Sequence, residues 1–101
     1  MTIRHIVAWT LATTNDEEHA AQISEISRRF TRFAERRPEL FVGLDVRANA
    51  VAVPGNSDIV LIADFADEDA LSAYQVDPEH LEIAEYIRSV VSGRAAIDIV
   101  S

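Results

Sequence analysis

The stretch Ile3–Leu11 reads as a β-strand that is apolar on both of its faces. His5, Val7, Trp9 and Leu11 fall on one face, and Ile6, Ala8 and Thr10 on the other. A strand built this way has to be covered from two sides, and that demand limits the folds open to the whole chain.

Helices supply one cover. Thr14-Asn15-Asp16-Glu17-Glu18 holds two overlapping capping boxes, Thr14 with Glu17 and Asn15 with Glu18. The helix that follows carries Ala20, Ile23, Ile26, Phe30, Phe33 and Ala34 as an apolar stripe. Its acidic first turn and the arginines from Arg28 to Arg37 match the helix dipole, and Pro38 helps to stop it. A second strand is expected over Phe41–Val53, a turn at Pro54-Gly55-Asn56-Ser57, and a third strand over Asp58–Phe65. Asp67-Glu68-Asp69 caps a short helix reaching Gln75. Pro78 opens another, with Gly93 as its expected stop. Arg94–Val100 is the last strand, with Ala95, Ile97 and Ile99 on one face.

The order β-α-β-β-α-β, its second helix broken at Pro78, is that of an α+β ferredoxin-like fold with a four-stranded antiparallel sheet. Such helices cover only one face of the sheet. Alternation leaves Ile6, Ala8, Val60, Ile62 and Ala96 on the other, and a face of that kind should not lie in water. A second copy of the same sheet is the economical cover. A homodimer is therefore expected, its two sheets packed inward.

Size and charge narrow the partners. At 101 residues the chain is expected to form a single domain, residues 1–101. A formal net charge of −8 repels phosphate, so neither nucleic acid nor an anionic membrane is an expected partner. The absence of cysteine removes disulfides, thiolate chemistry and the usual zinc ligands. The longest apolar run, Ile59-Val60-Leu61-Ile62-Ala63, is too short to span a bilayer, and Met1-Thr2-Ile3-Arg4-His5 lacks the pattern of a secretion signal. A cytoplasmic location is expected. Asp16-Glu17-Glu18 and Asp67-Glu68-Asp69 fall at helix starts, where capping accounts for them without a metal. No nucleophile elbow and no glycine-rich phosphate loop is present, and no cofactor is expected.

Reactive side chains gather at the Pro78 break. In Asp77-Pro78-Glu79 the aspartate caps, the proline takes the first helical position and the glutamate complements the dipole. His80 then sits in the first turn, near Tyr74. A neutral imidazole there can remove a proton from an activated carbon or phenol, and the tyrosine hydroxyl can donate to a carbonyl or enolate. His5 is the third candidate. Val7, Trp9, Phe30 and Leu61 are candidate walls of an apolar ligand pocket. Plainer readings stand beside these: a helix junction satisfied by His80 and Tyr74, a core histidine, and ordinary core packing. His19 receives no role, and Arg28, Arg32 and Arg36 read as a solvated face pairing with Glu25 and Glu35.

With the elements in this order, the chain resembles the stress-responsive dimeric α/β-barrel (Dabb) family. The resemblance rests on Ile3–Leu11, on Gly43-Leu44-Asp45-Val46 with Asn49, and on Asp58–Phe65. It continues through Ala73-Tyr74-Gln75, Pro78-Glu79-His80-Leu81 and Arg94-Ala95-Ala96-Ile97-Asp98. It implies a homodimer with a barrel-like core and a pocket in each subunit, able to bind a hydrophobic or aromatic small molecule, with no defined reaction. The alternative it implies is a cofactor-free enzyme of polyketide cyclase or monooxygenase type. In the cyclase pattern His80 matches a general base, Tyr74 a substrate-orienting group and His5 a pocket-lining histidine. Asp77 stands where many relatives carry another histidine.

Overall fold

In the computed structural model, which describes residues 1–101, the N-terminal strand β1 (Ile3–Leu11) lies inside the sheet. It is flanked by β3 (Ile59–Phe65) and β4 (Val91–Val100), and β2 (Gly43–Ala48) lies outside β3. All three pairings are antiparallel. The β1–β2 connection is α1 (Asp16–Arg36) followed by a 3-10 turn at Pro38–Leu40. The β3–β4 connection is α2 (Glu68–Val76) followed by α3 (Pro78–Val90). This is the expected α+β ferredoxin-like arrangement, and no helix in it is long and apolar enough to cross a membrane.

Burial along β1 alternates without a break. Ile3, His5, Val7, Trp9 and Leu11 lie under the helices, and Arg4, Ile6, Ala8 and Thr10 are half-buried on the far face. Ile26, Phe30 and Phe33 of α1, Leu71 and Tyr74 of α2, and Ile83 and Ile87 of α3 close over the inner face as one core. Of the two candidate caps for α1 the structure uses Asn15, whose side chain accepts the Glu18 N–H at 2.9 Å. Asp67 caps α2 by accepting from the Ala70 N–H at 2.8 Å. Both acidic clusters thus open helices, as the sequence indicates.

Several boundaries differ from expectation. The second strand is Gly43–Ala48 rather than Phe41–Val53, because its pairing with β3 ends at Ala48 opposite Ile59. One further backbone bond, from the Asn49 N–H to the Asp58 carbonyl at 2.9 Å, closes the pair, and the Asn49 side-chain amide donates into the loop to the Val51 carbonyl at 2.8 Å. Phe41 belongs instead to the core's aromatic cluster, packed against Phe33, Phe65 and Tyr74. Gly93 does not stop α3. The helix ends at Val90, whose carbonyl accepts from the Ala12 N–H at 2.9 Å, and the chain becomes extended at Val91. Gly93 lies within β4 opposite Thr10, where an added Cβ would meet nothing nearer than 3.7 Å.

The phase of β4 also needs correction. Ala96 pairs with Val7, so it faces the helices. Ala95 and Ile97, opposite Ala8 and Ile6, occupy the open face with Val60 and Ile62. Alanine stands on both sides of this strand, so composition alone does not reveal which side is inward. On the surface of α1, Glu25 binds Arg28 at 2.7 Å and Arg29 at 2.6 Å, and Arg36 reaches Glu79 at 3.3 Å. Arg32 and Glu35 take no part in ion pairs, contrary to the spacing argument.

Candidate functional site

Asp77 is the hinge of the site. Its backbone N–H donates to the Tyr74 carbonyl at 3.2 Å, closing α2, and its side chain accepts the Glu79 N–H at 2.9 Å, opening α3. The other carboxylate oxygen is ion-paired with Arg37. One buried residue therefore ends one helix and starts the next. The abrupt change of direction sets the rings of Tyr74 and His80 with their centroids 4.2 Å apart.

Hydrogen bonding assigns the tautomers. His80 Nδ1 lies 3.2 Å from the Gln75 carbonyl, which only accepts, so Nδ1 carries the proton and Nε2 keeps its lone pair. Burial is the chief cause that lowers the His80 pKa from its ordinary value; the Gln75 carbonyl and the Asp77 carboxylate oppose it, and the positive charge of Arg94 assists. The imidazole is thus neutral at neutral pH and basic at Nε2. Tyr74 is almost wholly buried, and burial pushes its hydroxyl above the ordinary tyrosine range. It remains a phenol, with a proton available to donate.

His5 enters from β1. Its Nδ1 donates to the Asp98 carboxylate at 2.5 Å, since the β1–β4 register sets the two residues directly opposite. That contact fixes its tautomer as well, leaving Nε2 unprotonated in the neutral ring. The His5 and Tyr74 rings meet edge to face with centroids 6.0 Å apart.

These groups converge on one cavity of about 300 Å³. His5, Tyr74 and His80 all border it, and so do Val7, Trp9, Phe30 and Leu61. Trp9 and Phe30 stack with centroids 6.1 Å apart, and both rings border the cavity. Sequence reasoning missed Arg88 and Arg94, which border the same space, and Asp98, which orients His5. The parity of β4 held the signal: with Ala95 and Ile97 on one face, Arg94 and Asp98 must share the other. His19 lies elsewhere, 3.0 Å from Asp58, which also accepts the Leu11 N–H at 2.7 Å. No three His, Asp or Glu side chains are grouped so as to hold a metal ion.

A family model described as the Stress responsive A/B Barrel Domain matches residues 3–101. No curated protein sequence matches. A dimeric protein of unknown function with a ferredoxin-like fold, from Bacteroides fragilis, superposes with a TM-score of 0.86 at 20% identity, covering 99% of this chain and 96% of that one. A hydroxynitrile lyase from Passiflora edulis does so with a TM-score of 0.75 at 12% identity, covering 99% and 93%. A cofactor-independent oxygenase from Streptomyces nogalater gives 0.67 at 16% identity, covering 99% and 92%. At these identities the likeness is one of fold.

Proposed function

The chain belongs to the stress-responsive A/B barrel family, and from that premise we propose that it is a homodimer whose subunits each bind a small, mainly apolar molecule beside His80. The observation that carries this reading is the cavity itself. Its volume of about 300 Å³ lies at the lower end of the range for small-molecule sites, and a few convergent polar groups interrupt apolar walls. The dimer is supported by the open face of the sheet, where Ile97 is 58% exposed and Ile6, Val60 and Ile62 are only half-buried. It is supported also by the dimeric state described for the Bacteroides fragilis relative.

Ring-sized probes such as indole and 2-naphthol test the reading by thermal shift. Wild type should gain stability with at least one probe, and the gain should shrink in His80→Ala. Equal gains in both proteins would remove His80 from the binding site, and no gain with any probe would defeat the reading.

The state of His80 favours a second reading, cofactor-free proton transfer. Nε2 would take a proton from an acidic carbon or phenol of the bound molecule, and the Tyr74 hydroxyl would hydrogen-bond to the oxygen on which negative charge collects. The imidazolium would return the proton to product, restoring the neutral ring. Proton exchange at the α-carbon of an aryl methyl ketone such as acetophenone in heavy water, followed by NMR, is the direct assay. Wild type should accelerate exchange and His80→Gln should not.

A further inference from the structure

All nine cationic side chains of this protein are arginine. Arg4, Arg28, Arg29, Arg36, Arg37 and Arg47 are each ion-paired with a carboxylate. Arg32, Arg88 and Arg94 are not. In a chain with seventeen acidic residues, an unpaired guanidinium is the exception. Two of the three exceptions border the same cavity.

Their placement follows from the fold. Because α3 passes into β4 without a loop, Arg88 near the helix end and Arg94 on the adjoining strand are brought to one opening. Arg94 pairs in register with Trp9 and so lies on the helix side of the sheet. The cavity is graded from inside to outside. Val7, Phe30, Leu61 and Tyr74 form a buried floor, whereas Leu81, Arg88 and Arg94 are exposed at the rim. The field of Arg94 is felt inside, where it acts on both Tyr74 and His80.

We propose that the cavity's ligand is a small aromatic carboxylic acid, its ring against Trp9 and Phe30 and its carboxylate held at the rim by Arg94 and Arg88. This inference rests on the small-molecule reading given above and names the class of molecule. The planar guanidinium fork matches a carboxylate with two parallel hydrogen bonds, and a neutral ligand would leave both cations uncompensated. The net charge of −8 repels anions at long range, so capture of an acid depends on these local contacts. A free phosphate would satisfy the arginines but leave the apolar floor unfilled.

Calorimetric titration with benzoate and 2-naphthoate, each against its own carboxamide, separates the possibilities. Wild type and Arg32→Ala, a variant at the unpaired arginine away from the cavity, should bind an acid roughly tenfold or more tightly than its amide. In the Arg88→Ala/Arg94→Ala double variant that preference should fall to about twofold or less, with amide affinity unchanged, because only charge-assisted contacts are lost. Thermal melts confirm that the double variant is folded. Equal binding of acid and amide by wild type would overturn the acid assignment and leave the small-molecule reading standing, whereas no binding of any probe would overturn both. Retention of the preference in the double variant would overturn the role of the arginines. Inorganic phosphate binding as tightly as 2-naphthoate would overturn the aromatic-acid class.

Discussion

Asp98 accepts the Nδ1–H of His5 across the β1–β4 pairing, joining two residues 93 positions apart in the chain. A histidine on the central strand is thereby held in one tautomer by a carboxylate on an edge strand. In the neutral ring its lone pair therefore lies on Nε2, as it does in His80.

Removing that acceptor should release the tautomer. In Asp98→Ala, long-range nitrogen–proton correlation spectra should show the His5 Nε2–H form gaining population, where wild type holds Nδ1–H. The Asp98 side chain is 46% exposed but His5 is buried, so leaving the His5 N–H without an acceptor should cost about 1–3 kcal/mol. An unchanged His5 spectrum would remove Asp98 as the orienting group.

His80 should couple stability to pH. Its folded-state pKa lies below the ordinary 6.5, so the unfolded chain binds the proton more readily in the interval between the two values. The stabilisation is therefore complete above about pH 6.5 and is lost as pH falls through the folded value. Urea titrations between pH 7.5 and about 5 should show this loss in wild type and a smaller one in His80→Gln. Equal slopes would show that His80 is not the group responsible.

Asp77 should separate capping from charge pairing. Asp77→Ala removes the α3 cap and the Arg37 partner together and should cost about 1–2 kcal/mol in chemical denaturation. Asp77→Asn keeps an oxygen for the Glu79 N–H, loses the ion pair, and should cost less. Equal losses would mean that the contact with Arg37, not the cap, holds the junction.

Ile97 should report the sheet-to-sheet contact. Wild type is expected to sediment at twice the 11.2 kDa subunit mass, and Ile97→Glu, which sets a carboxylate opposite Ile6 on the open face, should shift it toward one subunit. Wild type sedimenting as a single subunit at micromolar concentration would contradict the dimer.

The elements themselves were legible because each depends on neighbours a few positions away. Asn15 and Asp67 cap helices through contacts three residues along the chain, and Asp77-Pro78 breaks one helix and opens another within two residues. The alternation of β1 is carried by its own side chains, so His5, Val7, Trp9 and Leu11 were separated from Ile6, Ala8 and Thr10 without a partner strand. His80 beside Tyr74 follows from the same local chemistry.

What depended on distant pairing was not legible. The end of β2 at Ala48 is set by where its register with β3 runs out opposite Ile59, and the inward face of β4 by which of its residues stand opposite Val7 and His5. With alanine on both sides, that strand carries too little contrast to declare its own phase. Sequence alone determined which segments fold and how the helix break places an imidazole beside a phenol, because those interactions close within one or two turns. Only tertiary structure decided that Asp98 orients His5 and that Arg88 and Arg94 meet at one rim, since a one-residue slip in strand register sends every side chain to the opposite face.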